Sequence, residues 1–310
     1  MKETMSANRR FVSMPAVAVC ACVAALLAPA LAQAQVFTWS KEQLMEYTAQ
    51  NPFERFPDGR PKVPDALMQR AKGISMEEAF GVLPGKGFRN QYEDGFQVLH
   101  PGKKLVGRAV TVQFMPARPD IDGVINARNR AQGGRGLNNQ VAIDMLQPGD
   151  VLVVDLFGKK DGGTIVGDNL FYYVMKATKG GGMVVDGAIR DLEGISEMDM
   201  PAYFRSSHPS YIANVMLTGI NIPVRIGNVT VMPGDLVVGD QEGVYFIPPQ
   251  FVQEVMDKAD EVHVHDEWTR KKFDDGKYKS SDIYSTPRDP ELRKEYQEYL
   301  KKRLEEIRKQ

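Results

Sequence analysis

The stretch VVDGAIRD, residues 184–191, decides the fold, because a valine-rich run leads directly into a glycine, an arginine and two aspartates. Met183 to Asp186 has the composition of a buried strand, and Asp186-Gly187 is typical of a tight turn that ends such a strand. Arg190 and Asp191 would then lie just past the carboxyl end of the strand, where ligands bind in α/β sheets.

Two further stretches share one design on either side of this segment. PGDVLVVD occupies residues 148–155 and PGDLVVGD occupies residues 233–240. In both, proline sets φ, glycine permits the bend and aspartate caps the turn before a valine-rich strand. Other strand-like and helical stretches alternate along this part of the chain: strands at Leu105–Phe114, Val229–Val231 and Val244–Ile247, and helices at Asn169–Lys179 and Gln250–Glu261. The alternation predicts one α/β domain.

The composition excludes several classes of protein. The chain has 310 residues, of which 43% are hydrophobic and 25% charged, with 39 Lys+Arg against 40 Asp+Glu. This balance is typical of a globular protein and fits neither a disordered chain nor a basic nucleic-acid-binding surface. The two cysteines, Cys20 and Cys22, lie in an early apolar run, so neither a disulfide framework nor a cysteine zinc site is predicted.

The N-terminus has the three parts of an export signal. Basic residues precede an apolar run, Pro15 to Leu31, and Ala32-Gln33-Ala34 provides a small-x-small cleavage site. We therefore expect a signal peptide at 1–34 and a periplasmic or secreted protein, exported by the general or the twin-arginine route. A retained anchor helix is the alternative, but the apolar run is short for a bilayer.

Two charged segments flank the α/β domain, which we place at residues 74–262. The segment before it, 35–73, is rich in proline, glycine and charge, so we expect an extended N-terminal arm with short helices. In the segment after it, 263–310, Asp289-Pro290 is a good helix start, and apolar residues recur every four positions at Leu292, Tyr296, Leu300 and Leu304. This spacing predicts a charged helical C-terminal tail.

Residues 167–191 hold the densest group of candidate functional side chains. If a helix starts near Asn169, Asp168 is its cap, and the free backbone N–H groups of its first turn form a site for a carboxylate. Arg190 can bind a carboxylate through two hydrogen bonds, and Asp191 can ligate a hard divalent cation such as Mg2+. Together they would bind a 2-oxo acid. Each residue also has a purely structural explanation, as a helix cap, a turn or a surface ion pair.

Four stretches resemble the RraA-like family in sequence and order: GRAVTV at 107–112, PGDVLVVD at 148–155, VDGAIRD at 185–191 and PGDLVVGD at 233–240. The family comprises the regulator of ribonuclease E activity A and the class II pyruvate aldolases, which act on 4-hydroxy-4-methyl-2-oxoglutarate and 4-carboxy-4-hydroxy-2-oxoadipate. The resemblance implies a swivelling β/β/α domain, assembled as a homotrimer or a hexamer with active sites at subunit boundaries.

The resemblance also implies roles for the residues that would contact the substrate. Arg190 would bind the substrate carboxylate and stabilise an enolate. Asp168 would match an acidic residue that acts through metal-bound water. Gly167 and the backbone N–H groups of Asn169 and Leu170 would receive the carboxylate.

The metal ligands implied by the resemblance are Asp191 and, from the neighbouring subunit, Glu267. The cofactor would be a divalent metal, Mg2+ or alternatively Mn2+. The implied function is a lyase that cleaves a 2-oxo acid in a retro-aldol reaction, or decarboxylates it, through a pyruvate-type enolate.

Ribonuclease E and the ring-cleavage pathways that supply the known aldolases are cytoplasmic. A protein exported as predicted would therefore neither regulate the first nor serve the second, and its substrate stays open. The alternatives are therefore a non-catalytic trimeric scaffold or regulator, and a lyase or hydrolase acting on sugar-derived or aromatic acids. A small 2-oxo acid is the expected partner. We expect no nucleic-acid partner, and no membrane contact after signal cleavage.

Four other residues have less specific patterns. His263 and His265 alternate as on one face of a strand, which fits a second metal site or, more simply, two solvent-facing side chains. His208 lies in a loop near the candidate site, as a proton carrier or a plain loop histidine. Arg205 is a candidate second contact for an anion.

Overall fold

The computed structural model describes residues 38–131 and 139–307. The signal peptide predicted at 1–34 lies outside the described residues. Within those two ranges, no helix combines the length and the apolar composition needed to cross a membrane.

Strands and helices alternate along the described chain. The strands are β1 (Tyr92–Glu93), β2 (Gln97–Leu99), β3 (Leu105–Pro116), β4 (Asp150–Asp155), β5 (Met183–Ile189), β6 (Ala202–Ser207), β7 (Val215–Ile220), β8 (Val224–Ile226), β9 (Val229–Val231), β10 (Leu236–Gly239) and β11 (Val244–Ile247). The helices are α1 (Lys41–Tyr47), α2 (Asp65–Ala71), α3 (Met76–Phe80), α4 (Val82–Gly85), α5 (Pro119–Ala131), α6 (Asn139–Ile143), α7 (Asp168–Thr178), α8 (Leu192–Ile195), α9 (Val252–Asp274), α10 (Ser280–Ile283) and α11 (Pro290–Ile307).

The strands form a mixed sheet and a separate hairpin of β8 and β9. The order in the main sheet is β1-β11-β10-β3-β4-β5-β6-β2, and β7 also pairs with β3. The pairs β3/β4, β4/β5 and β5/β6 are parallel, whereas the other pairs are antiparallel. The carboxyl ends of β4, β5 and β6 therefore lie at one edge of the sheet. The predicted α/β fold class is confirmed.

Both faces of the central strands are buried. Val154 of β4 belongs to a cluster that packs the sheet against Phe171 and Val174 of α7. The neighbouring residue Val153 faces the opposite cluster, which packs the β8-β9 hairpin against the sheet. Because alternate residues of β4 enter different clusters, the strand is a continuous hydrophobic run rather than an alternating one.

The predicted arm and helical tail are both built into the fold. Leu67 and Ala71 of α2 share a buried cluster with residues of α3, α9, β10 and β11. Helix α9 continues through position 263, where the sequence placed the start of the tail. Beyond it, α11 packs back on α9 around Trp268 and Leu292.

The two PGD triplets place their aspartates in different electrostatic surroundings. Asp150 accepts a hydrogen bond from the N–H of Gln147 at 2.9 Å, and Asp235 accepts one from Met232 at 2.8 Å. Asp150 is also paired with Arg60, whose Nη1 lies 2.8 Å from Oδ1. Asp235 is only 1% exposed and pairs with no cation in the part of the chain that the structure describes. Burial raises the pKa of Asp235 to about 7, although the Met232 N–H lowers it.

We expect Asp235→Asn to weaken the pH dependence of stability. Because the folded-state pKa of Asp235 lies above the ordinary value, the folded chain keeps a proton between about pH 4 and 7 that the unfolded chain has lost. The free energy of unfolding of the wild type therefore falls as the pH rises through this window, by about 1.4 kcal/mol per pH unit from this group. Asparagine retains an oxygen for the Met232 N–H and does not titrate. Urea unfolding at pH 5 and pH 8 checks this, and an unchanged difference between the two pH values would contradict it.

Candidate active site

Strand β5 carries the candidate residues to the carboxyl edge of the sheet. It continues through Asp186 and Gly187 to Ile189, so the predicted turn at these two residues is wrong, although its register with β6 shifts between Val185 and Ala188. Position 187 favours glycine because a Cβ there would lie 2.7 Å from Cβ of Leu156. The glycine serves close packing between strands, and the chain turns only after Arg190.

The chain changes direction at Asp191, whose backbone is left-handed with φ 60° and ψ 40°. On one side, the N–H of Arg190 donates to the carbonyl of Val166 at 3.2 Å. On the other, the carbonyl of Asp191 accepts from the N–H of Ile195 at 3.0 Å. These backbone bonds fix the two neighbouring residues at the edge of the sheet.

The side chains of Arg190 and Asp191 lie together and are partly open to solvent. Arg190 Nε is 3.3 Å from Asp191 Oδ2, and the two side chains are 37% and 43% exposed. Nε is buried and has no aligned hydrogen-bond acceptor. Among residues 38–131 and 139–307, no acceptor is bound to the two terminal nitrogens of this guanidinium. The guanidinium therefore has donors available for a small anion.

Helix α7 points its N-terminus at this pair. Its N-cap is Gly167, so the predicted cap at Asp168 is wrong by one residue. Asp168 is instead the first helical residue: its N–H donates to Asp191 Oδ2 at 3.3 Å, and its Oδ1 accepts from the N–H of Asn169 at 2.7 Å. Carboxylates of the chain itself thus occupy the positive end of the helix dipole. Leu170 follows in the same turn, with its side chain packed against the core.

Gly167 is the point of closest approach between the helix and the Arg190-Asp191 pair. Its backbone is extended, with φ −108° and ψ −168°, so its conformation does not require glycine. The available space does: a Cβ would overlap Asp191 Oδ2 and lie 2.7 Å from Arg190 Nε. The structure therefore brings Gly167, Asp168, Arg190 and Asp191 together, while their chemical roles stay predictions.

Two carboxylates in this cluster are suited to a hard cation. Asp168 and Asp191 converge on the first turn of α7, and both are reached by solvent. Mg2+ is often held by one or two carboxylates, with waters and substrate oxygens in the remaining positions, so this donor set fits such an ion. Within the described ranges, no group of three or more His, Cys, Asp or Glu side chains could hold a metal.

Glu267, the predicted second metal ligand, is hydrogen-bonded within its own chain. Its Oε1 accepts from Lys271 Nζ at 2.7 Å and from the Tyr299 hydroxyl at 2.6 Å, and Arg303 donates to Oε2 from two nitrogens at 3.1 Å. Burial raises the pKa of Glu267, but these hydrogen bonds lower it more, to about 2. Its role on the metal of a neighbouring subunit stays a prediction, and that role would require these bonds to break.

The histidines of the predicted second metal site lie on α9 and not on a strand. Side chains two residues apart on a helix point in different directions. His263 Nδ1 accordingly contacts Glu78 Oε1 at 2.8 Å, whereas His265 Nε2 contacts the carbonyl of Tyr284 at 3.0 Å. The expectation of a shared strand face is wrong.

Arg205, the candidate second anion contact, is already paired. Its Nε donates to Asp186 Oδ1 at 2.8 Å and its Nη2 to Glu93 Oε1 at 2.6 Å. The guanidinium also lies over the ring of Phe96, 4.0 Å from its centroid. Arg205 therefore joins β6 to β5 and β1. Its role as a second anion contact stays a prediction, and that role would require one of these bonds to break.

The family follows from comparison with known proteins. The RraA-like model, described as Aldolase/RraA, matches residues 65–246. The chain belongs to the RraA-like family. A Halalkalibacterium halodurans protein named "Putative 4-hydroxy-4-methyl-2-oxoglutarate aldolase" is 36% identical over 149 residues, which cover 47% of this chain and 70% of that protein. An Ectopseudomonas mendocina protein of the same name is 35% identical over 108 residues, which cover 34% of this chain and 64% of that one.

A solved structure supports the same family. Streptomyces coelicolor RraAS2, described as an unusual member of the RNase ES inhibitor RraA protein family, superposes with a TM-score of 0.56 at 31% identity. The superposition covers 71% of this chain and 99% of that one. The RraA-like fold and family predictions are therefore confirmed. The family includes both lyases and RraA-type regulators, so the reaction has to be argued from the site.

Proposed function

We propose that this RraA-like protein is a metal-dependent lyase that cleaves a 2-oxo acid in a retro-aldol reaction, or decarboxylates it, through a pyruvate-type enolate. The observation that carries the proposal is the half-exposed Arg190-Asp191 pair, whose guanidinium has donors free for a small anion. The relatives named as aldolases support the same class of reaction. The proposal includes a homotrimer or hexamer in the periplasm or outside the cell, on the strength of the family resemblance and the predicted signal peptide.

Arg190 is the residue that would bind the substrate carboxylate. Its planar guanidinium matches a carboxylate through two parallel hydrogen bonds. The first two N–H groups of α7 are already bound by the carboxylates of Asp191 and Asp168, so a ligand carboxylate would be held by the free donors of Arg190. The keto oxygen of the ligand would then lie beside Asp191, because Arg190 and Asp191 are adjacent.

Asp191 would hold the cation, and Asp168 lies beside it on the first turn of α7. When bound, Mg2+ or Mn2+ polarises the keto oxygen and stabilises the negative charge that develops there. Arg190, directly beside Asp191, would add a fixed positive charge that is oriented before the reaction.

Asp168 would move the proton that the retro-aldol reaction requires. It would accept the proton of the substrate hydroxyl, directly or through one water, as the carbon-carbon bond breaks and the new carbonyl forms. The same proton would return to the methylene carbon of the enolate, which releases pyruvate. In decarboxylation, carbon dioxide leaves without a proton, and the proton that reaches the methylene carbon of the enolate would come from solvent water through Asp168. One site therefore accounts for both reactions.

Incubation of the purified protein with oxaloacetate and Mg2+ tests the proposal. We expect pyruvate release above the non-enzymatic rate, lost with EDTA and restored by Mg2+ or Mn2+. Asp191→Asn should raise the Mg2+ concentration for half-maximal rate by at least about tenfold, since even outer-sphere partners contribute that much to metal affinity. Glu193→Gln, at an exposed position two residues on, is the matched control and should behave as wild type.

Two outcomes would contradict the proposal. A folded protein that turns over neither oxaloacetate nor 4-hydroxy-4-methyl-2-oxoglutarate would favour the non-catalytic scaffold. An Asp191→Asn variant with an unchanged response to Mg2+ would exclude Asp191 as a ligand.

A further inference from the structure

His208 lies beside Arg190 at the edge of the sheet. Its backbone N–H donates to the carbonyl of Ile189 at 3.1 Å, directly before Arg190. Neighbouring strands are about 4.8 Å apart, so this bond places His208 one strand spacing from Arg190. The segment that leads to α7 lies on the opposite side, where the carbonyl of Val166 accepts from the N–H of Arg190 at 3.2 Å. Arg190 is thus flanked by α7 on one side and by His208 on the other.

The hydrogen bonds around His208 determine which ring nitrogen carries the proton. The backbone N–H of Ser210 donates to Nδ1 at 3.3 Å. The Ser210 hydroxyl accepts from the N–H of Gly162 at 2.7 Å, which leaves its hydrogen free to donate to Nδ1 at 2.9 Å. Because a backbone N–H can only donate, Nδ1 must present its lone pair, and the neutral ring carries its hydrogen on Nε2. The geometry assigns the Nε2–H tautomer.

The Nε2–H group is available to a ligand. It has no partner among residues 38–131 and 139–307, and the side chain is 30% exposed. The nearest carboxylate, that of Asp161, lies 3.7 Å from Nδ1, on the other nitrogen, and is itself exposed. A ring held at Nδ1 with an open Nε2–H is oriented before any ligand arrives.

We propose that His208 contacts the substrate and donates a hydrogen bond from Nε2–H to a second anionic oxygen of the 2-oxo acid whose carboxylate binds Arg190. The inference rests on the proposed function of that site. The contribution of the Nε2–H group would be a fixed dipole that stabilises negative charge on the ligand.

Matched substitutions at position 208 test this role. The side-chain nitrogen of glutamine reaches the place of Nε2, whereas that of asparagine reaches only the place of Nδ1. With oxalate and Mg2+ as the probe, we expect His208→Asn and His208→Ala to weaken binding measured by calorimetry by at least about tenfold, the loss typical of a hydrogen bond to a charged group. His208→Gln should remain within about threefold of wild type. Long-range 1H–15N NMR spectra should show the Nε2–H tautomer in the free protein.

Several results would overturn the inference: an Nδ1–H tautomer, wild-type oxalate affinity in His208→Asn, an equal loss in His208→Gln and His208→Ala, or no oxalate binding by the wild type. The kinetic assay separates this inference from the proposed function. Oxalate binding that follows the predicted order without turnover of oxaloacetate would contradict the lyase and support the His208 contact. Turnover of oxaloacetate that is unaffected by any substitution at His208 would support the lyase and contradict the His208 contact.

Discussion

Replacing Gly167 with alanine is expected to lower kcat/KM for oxaloacetate by about 10²- to 10³-fold, the loss typical of removing a group that stabilises transition-state charge. The added Cβ would overlap Asp191 Oδ2 and lie 2.7 Å from Arg190 Nε, so both side chains must move. The guanidinium of Arg190 and the carboxylate of Asp191 would be displaced together. Because the backbone at Gly167 is extended, alanine adds no backbone strain and the fold should persist.

Steady-state kinetics with thermal unfolding as a control checks this expectation. Gly194→Ala is the matched variant: its Cβ would lie 3.5 Å from Cβ of Asp168, an ordinary contact next to the same site. It should keep activity within a few-fold of wild type. If Gly167→Ala is as active as Gly194→Ala, the Arg190-Asp191 pair does not form the reaction centre.

The fold was predictable where local composition and burial agree. The valine-rich runs became β4, β5, β10 and β11 because central strands covered on both faces need continuous hydrophobic residues. Asp186-Gly187 has the local pattern of a turn, yet it lies inside β5. The glycine is explained by close packing against Leu156, a contact between distant parts of the chain that the local sequence does not indicate.

The site was predictable in outline for a similar reason. Arg190 and Asp191 follow a parallel strand, and parallel strands bring their carboxyl ends to one edge. The Asp168 N–H donates a hydrogen bond to Asp191, whose backbone is left-handed. No residue pattern in the sequence predicts that left-handed conformation. The role of Ser210 in orienting His208 escaped prediction as well, because it requires the loop that contains Gly162.

The PGD triplets show the limit of local patterns most clearly. Asp150 and Asp235 occupy the same position of the same turn, and each accepts a backbone N–H. Within the described ranges, only Asp150 of the two is paired with a cation, that of Arg60, which precedes it by 90 residues. Arg60 also lies over the ring of Phe56, 4.3 Å from its centroid, and so attaches the N-terminal arm to the start of β4.

Arg60→Ala is expected to lower the free energy of unfolding by about 3–5 kcal/mol, because it leaves the fully buried carboxylate of Asp150 without its countercharge. Adding Asp150→Asn removes that charge and keeps an oxygen for the Gln147 N–H, so the double variant should recover a large part of the loss.

Urea unfolding followed by circular dichroism measures the free energy of unfolding of both variants. Arg118→Ala, which breaks an exposed pair with Asp120, is the control and should change stability by less than about 1 kcal/mol. An equally small loss in Arg60→Ala, or a double variant no more stable than the single one, would mean that the buried pair does not hold the arm in place.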